Sequence, residues 1–154
     1  MENNNKVSKI IPLCLIVLAI AIIGVGFLPA VGGSSYVNMF KCAFGGTLPG
    51  DNELKLSACF NFWIVMVLFL PLIGALLSFF IKGKFGGILC LICFLYTAIF
   101  TWFTPMVAGY VAGASTQHEG WASFANGGLA VGSITMACIA IVGSLVSIYR
   151  TAQA

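Results

Sequence analysis

Residues 59–81 read CFNFWIVMVLFLPLIGALLSFFI, a stretch without a single charged side chain. A helix needs about 20 consecutive apolar residues to cross the hydrocarbon core of a bilayer, so this stretch predicts a transmembrane helix. Comparable uncharged stretches occupy residues 10–31, 85–107 and 127–149. The sequence therefore predicts four spans, packed as an all-α antiparallel bundle in one transmembrane domain, residues 1–154.

The composition agrees with this prediction. Hydrophobic residues make up 60% of the chain and charged residues 7%, against about 25% charged residues in a typical soluble domain. A net charge of +3 without a run of basic residues gives no reason to expect a nucleic-acid partner. The partner that the composition does predict is the lipid bilayer.

The positions of the basic residues predict the orientation of the spans. Basic residues favour cytoplasmic loops, so both termini and the turn between spans 2 and 3 are expected inside. Residues 32–58 and 108–126 then form the two outer loops of a multi-pass protein of the plasma membrane. Span 1 is longer than the 7 to 15 apolar residues of a signal peptide, so we keep it as a helix. The basic residues on the predicted inner side are Lys6, Lys9, Lys82, Lys84 and Arg150, and those on the outer side are Lys41 and Lys55.

Two cysteines lie in or beside the first outer loop. Cys42 and Cys59 share a compartment that permits disulfides, and we predict that they pair. By the loop-entropy model such a bond contributes on the order of 3 kcal/mol. A pair of free outer thiols is the alternative.

Cys90 and Cys93 form a Cys-x-x-Cys motif inside the third span. Thiols inside an apolar helix are poor nucleophiles, and small apolar packing is their expected role. No second such motif and no histidine lies near enough in sequence to complete a zinc site, so we predict no metal, no cofactor and no catalytic residue. The alternative is a quinone-linked four-helix thiol oxidoreductase that uses these two cysteines together with Cys42 and Cys59.

Other polar or flexible positions within the spans suggest two further hypotheses. Pro71 removes a helix hydrogen bond and is followed by Gly74, so this pair is a candidate hinge. The hydroxyl residues of the spans are expected to bond within their own helix or across to a neighbouring helix. An oligomeric channel lined by these hydroxyls is an alternative function.

The fourth span carries small residues at helical spacing. Such a seam lets two helices approach closely, either within the monomer or between copies. It predicts a helix-packing interface and is the basis for expecting a homo-oligomer or another membrane protein as partner. The seam consists of Gly128, Gly132, Ser133, Ala137, Ala140, Ser144 and Ser147.

The segment Tyr36–Cys42, with an aromatic residue before the cysteine and Cys59 leading into span 2, resembles the outer-loop pattern of the claudin and peripheral-myelin-protein group of tetraspan proteins. The resemblance covers the four-span topology and about 25 residues. It implies assembly at the cell surface or an accessory role. Together these features predict a small polytopic scaffold, or an interaction or accessory subunit, and give no indication of an enzyme.

Overall fold

A computed structural model describes residues 2–31, 37–48, 55–114, 117–123 and 128–153. Long apolar helices dominate this structure and pack side by side as a bundle. Three of them have the length and composition to cross a membrane, while the fourth has a shorter apolar part, Lys9–Val25. The chain is thus a multi-pass membrane protein. The four helices are α1 (Glu2–Val25), α3 (Phe62–Phe80), α4 (Lys84–Val107) and α5 (Val131–Gln153).

Neighbouring helices in the bundle run antiparallel. The beginning of α3 meets the end of α4, where Asn61 donates to the carbonyl oxygen of Val107 at 3.0 Å. The beginning of α5 lies near the end of α1, where Ser133 donates to the carbonyl oxygen of Ala30, five residues beyond α1, at 2.6 Å. Helices α1 and α4 each pack against both α3 and α5, so the four helices form a closed ring. Fully buried side chains from all four fill its centre, among them Leu15, Ile22, Leu68, Phe94 and Met136.

Two predicted span boundaries differ from the structure at the outer end of the bundle. The first span was predicted over 10–31, but α1 runs from Glu2 to Val25 and the chain becomes a strand at Pro29. The residues between them form turns, in which Phe27 and Leu28 donate to carbonyls three residues back. The fourth was predicted from residue 127, but α5 begins at Val131. Gly128 has φ 65°, a left-handed conformation that a right-handed helix does not contain.

The second and third spans agree more closely with their predicted ranges. The second was predicted over 59–81 and α3 covers Phe62–Phe80, because the preceding residues 55–58 are a strand. The third was predicted over 85–107, and α4 is one residue longer at its start.

The outer loops are more ordered than an all-α fold implies, which corrects that part of the prediction. Strands from both loops form one antiparallel sheet in the order β3-β4-β5-β6. Its central pairing, β4 with β5, places Leu56 opposite Ala112 and thereby joins the first loop to the second. The strands are β3 (Gly46–Leu48), β4 (Lys55–Ala58), β5 (Gly109–Ala114) and β6 (Gln117–Ser123).

The first outer loop also contains a two-stranded ribbon and a short helix. Strand β1 (Pro29–Val31) pairs with β2 (Val37–Asn38), and α2 (Met39–Phe44) follows directly. The Asn38 side chain caps α2 by accepting from the backbone N–H of Lys41 at 2.9 Å. Tyr36, the first residue of the claudin-like segment, and other parts of the predicted loops lie outside the described residues.

Asn61 joins the start of α3 to the end of α4. Its Oδ1 accepts from the backbone N–H of Trp63 at 3.0 Å, and its Nδ2 donates to the carbonyl oxygen of Val107 at 3.0 Å. The first N–H groups and last carbonyls of a helix have no partner within the helix. One side chain therefore satisfies a helix start and a helix end together.

A second contact between α3 and α4 lies at the proline in the middle of α3. Pro71 has no N–H, so the carbonyl oxygen of Val67, four residues earlier, loses its helical partner. The Thr97 hydroxyl on α4 donates to that oxygen at 2.8 Å, and Thr97 is fully buried. The proline site is consequently tied to the neighbouring helix.

We predict that Thr97→Val destabilises the fold by about 1–2 kcal/mol, because it leaves the carbonyl of Val67 without a donor in an apolar interior. The loss should be smaller in a Pro71→Ala background, where residue 71 regains the N–H that this carbonyl needs. Reversible unfolding in mixed detergent micelles measures the free energy of unfolding of the unchanged protein, the two single variants and the double variant.

Thr135→Val is the matched control, because the Thr135 hydroxyl bonds to Val131 of its own helix at 2.8 Å. Its effect should be within a few tenths of a kcal/mol. If Thr97→Val lowered the stability equally with Pro71 and with Pro71→Ala, the Thr97 hydroxyl would not be the donor that replaces the missing N–H of Pro71.

Candidate functional site

A polar cluster closes the bundle at the end where α3 stops and α5 ends. The Arg150 guanidinium donates to the hydroxyl and the backbone carbonyl of Ser78 and reaches the carbonyl of Ile81 at 3.5 Å. These carbonyls belong to the last turn of α3, where a cation is favoured by the helix dipole. Arg150 therefore acts as a cap supplied by another helix.

The Cys-x-x-Cys motif lies next to this cap. Cys90 is fully buried, and the hydroxyls of Ser78 and Ser147 face its thiol. Cys93 is 6% exposed, and its sulfur would lie 2.6 Å from a Cβ placed on Gly74. Both cysteines thus pack against the helices next to α4. Gly74 on α3 has no side chain, which leaves room for Cys93.

The inner and outer cysteines lie at different levels of the bundle. The Thr104 hydroxyl on α4 contacts the sulfur of Met39 on α2 at 3.9 Å, which marks the level of the helix that carries Cys42. Cys93 precedes Thr104 by eleven positions on the same helix, or about 16 Å at 1.5 Å per residue. Thiol–disulfide exchange needs sulfur atoms in contact, at about 2 Å in the bond that forms. The four cysteines of the oxidoreductase alternative are not brought together by this fold.

The predicted disulfide between Cys42 and Cys59 is not formed in the structure. All six cysteines are free thiols. Cys42 lies on the inner face of α2 with an exposure of 1%, and burial raises the pKa of its thiol to about 12. Cys59 follows β4, where its backbone N–H donates to the carbonyl of Gly109 at 2.9 Å. One cysteine is turned into the bundle and the other belongs to the sheet connection, whereas the prediction of a disulfide used only their shared position on the predicted outer side.

The small-residue seam of α5 packs inside the monomer. A Cβ on Gly132 would lie 2.5 Å from the carbonyl oxygen of Pro29, which shows how closely α5 approaches β1. Gly128 is exposed and precedes the helix. The seam residues buried in the bundle are Gly132, Ser133, Ala137, Ala140, Ser144 and Ser147.

The buried hydroxyls of the spans bond to backbone carbonyls. Ser144 donates to Ala140 at 2.9 Å and Ser147 donates to Gly143 at 2.8 Å. Within the described ranges, every buried side-chain nitrogen or oxygen has a hydrogen-bond partner. The described residues likewise contain no group of three or more His, Cys, Asp or Glu side chains that could hold a metal ion.

Sequence reasoning did not predict the contacts by which three residues connect the helices: Asn61, Thr97 and Arg150. Arg150 follows Ser147 by three positions, and residues three apart share a helix face. That spacing places Arg150 on the buried seam and could have identified it. Thr97 carried no comparable signal, because nothing in the sequence aligns it with Pro71.

Comparison of the chain with protein-family models, curated proteins and solved structures gives no match.

We predict that Cys42 resists alkylation in the folded protein at neutral and mildly alkaline pH, since its thiol is buried and its pKa is raised to about 12. After denaturation without reductant, both Cys42 and Cys59 should be alkylated in full. Mass mapping of the peptides gives both results. A peptide pair linked through Cys42 and Cys59 would contradict the structure.

Proposed function

We propose that this chain is a small scaffold, or an interaction or accessory subunit, of the plasma membrane. Its termini are cytoplasmic, and its outer sheet is the surface that binds a second copy or another membrane protein. The orientation is supported by the exposed Lys82 and Lys84 in the turn between α3 and α4, since short basic connections favour the cytoplasm.

The observation that carries this proposal is the joining of both outer loops into one sheet. The β4–β5 pairing holds residues 55–58 against residues 110–113, so the two loops form a single structural unit above the bundle. Sheet edges present backbone N–H and C=O groups that pair readily with another strand. In the described sheet the edges are β3 and β6, and β6, with seven residues, is the longer of the two.

The packing of the small-residue seam of α5 also supports the outer sheet as the surface that binds a partner. Small residues of α5 contact β1 and α4 within the monomer, as at Gly132 beside Pro29 and at Gly143 beside Phe94. A face already packed in this way is not free for a partner. Association is therefore assigned to the outer sheet in place of α5.

The resemblance to the claudin and peripheral-myelin-protein group also supports a role in assembly. The resemblance concerns four spans and the outer-loop cysteines Cys42 and Cys59. It favours assembly at the cell surface over catalysis, and it does not depend on the state of those cysteines.

A proline scan along β6, residues 117–123, tests the role of the sheet edge. Successive N–H groups of an edge strand point alternately toward the neighbouring strand and away from it. Proline at positions whose N–H points outward should reduce the complex to monomer and leave the fold intact, because only the exposed pairing is lost. The mass of the complex in gently solubilised membranes is the readout, with the circular dichroism spectrum as the measure of folding.

Two glycine variants serve as controls for the scan. Gly132→Leu forces a side chain into the contact between α5 and the backbone at Pro29 of β1 and should lower stability, whereas Gly24→Leu adds the same side chain where nothing lies within 4 Å. Neither variant should reduce assembly in the folded protein. If no proline in β6 changes the mass of the complex, or if Gly132→Leu alone dissociates a stable fold, the proposal is wrong.

A further inference from the structure

We propose that α2 lies in the outer interface of the membrane, with the rings of Phe40, Phe44 and Phe60 among the lipid acyl chains. The first outer loop then contains a membrane-embedded segment that does not span the bilayer. This inference does not depend on which partner the sheet binds.

The two faces of α2 differ in their surroundings. Met39, Cys42 and Ala43 are buried against the bundle. Phe40 and Phe44, four residues apart, lie outside that buried set, and Phe44 is 49% exposed. A short helix with one packed face and one aromatic face is typical of a segment at a membrane surface.

The exposed rings form a continuous series that ends on a transmembrane helix. Ring centroids of Phe27 and Phe40 are 4.4 Å apart, and those of Phe40 and Phe44 are 6.3 Å apart. Phe44 then contacts Phe60 at 6.5 Å and Phe69 of α3 at 6.2 Å. Phe27 and Phe60 are 67% and 63% exposed, so the series is an open apolar surface.

The level of these rings follows from their contacts with α3. This helix has 19 residues and spans about 28 Å at 1.5 Å per residue, close to the thickness of the hydrocarbon core. Phe69 comes seven positions after Phe62, about 10 Å from the outer end of the helix. The Phe44 ring that contacts Phe69 therefore lies inside the apolar layer.

The backbone of α2 lies higher than its rings. The carbonyl oxygen of Ala43 accepts from the backbone N–H of Asn61 at 2.8 Å, and Asn61 caps the outer end of α3. The rings thus point inward from the boundary by about the 5–10 Å to which interfacial helices bury their apolar face.

The geometry indicates that lipid acyl chains cover the exposed phenylalanine rings. The ring series is continuous with the exposed apolar surface of α3, which includes Phe62 and Trp63 at 57% and 58% exposure. That surface faces the acyl chains in a multi-pass protein. Water cannot be the neighbour of Phe44 where lipid is the neighbour of α3 at the same depth.

Single-tryptophan fluorescence tests the placement of α2. In a chain carrying Trp63→Phe, Trp102→Phe and Trp121→Phe, the variant Phe44→Trp is reconstituted into phosphatidylcholine vesicles with brominated acyl chains. It should lose most of its emission to bromine and little to aqueous iodide. Phe60→Trp is a second, independent reporter of the same surface, and circular dichroism verifies the fold of each.

Two reference chains calibrate the signal. A chain that keeps only Trp63 reports the outer boundary of α3, and Lys82→Trp in the tryptophan-free chain reports an exposed turn. Bromine quenching of Phe44→Trp at least equal to that of Trp63 supports the proposal, because the Phe44 ring lies deeper than the boundary that Trp63 reports. Iodide quenching equal to that of Lys82→Trp overturns it. Protection from both quenchers also overturns it, since a protein partner would then cover the rings.

Discussion

In the bilayer core no water is present to hydrogen-bond a free carbonyl, so every backbone group that a helix cannot satisfy itself needs a partner from the protein. Helix α3 has such groups in three places: its start, its proline and its end. Asn61 caps the start, Thr97 satisfies the carbonyl freed by the proline, and Arg150 binds the last turn. The latter two donors come from α4 and α5, so these helices are held in register with α3.

The same requirement shapes the outer end of the molecule. The loops must leave an apolar layer and satisfy their own backbone groups, and they do so largely with each other. Asn61 bonds to Val107 at the end of α4, and β4 and β5 continue that contact as a ladder above the bundle. The sheet and α3 are thus parts of one hydrogen-bonded unit.

Some of this structure could be read from the sequence and some could not. Uncharged stretches located the helices, since length and hydropathy depend only on local composition, and the third span was predicted to within one residue. The end of α1 at Val25 and the start of α5 at Val131 were missed because both lie inside uncharged stretches, where hydropathy gives no sign of the turns at residues 26–28 or of the left-handed Gly128. The sheet was missed because its pairing joins residues more than fifty positions apart, as in Leu56 with Ala112.

The cysteines illustrate a similar limit. Sharing a compartment made a bond between Cys42 and Cys59 plausible, but pairing depends on where each side chain points, and α2 turns Cys42 inward. The expectation for Cys90 and Cys93 depended only on depth within a span. The structure places both as buried packing residues beside Gly74 and Ser78. The depth of a cysteine within a span could be predicted from its position in the sequence. The direction of its side chain could be known only from the fold.

The most direct test of the central claim is the infrared frequency of one carbonyl. A carbon-13, oxygen-18 label on Val67 separates its amide band from the rest of the protein. The band of this carbonyl should lie at low frequency because the carbonyl is hydrogen-bonded, and it should shift upward in Thr97→Val because Thr97 is its donor. A band at the same frequency in both proteins would show that Thr97 is not the donor and that this contact does not hold α3 and α4 in register.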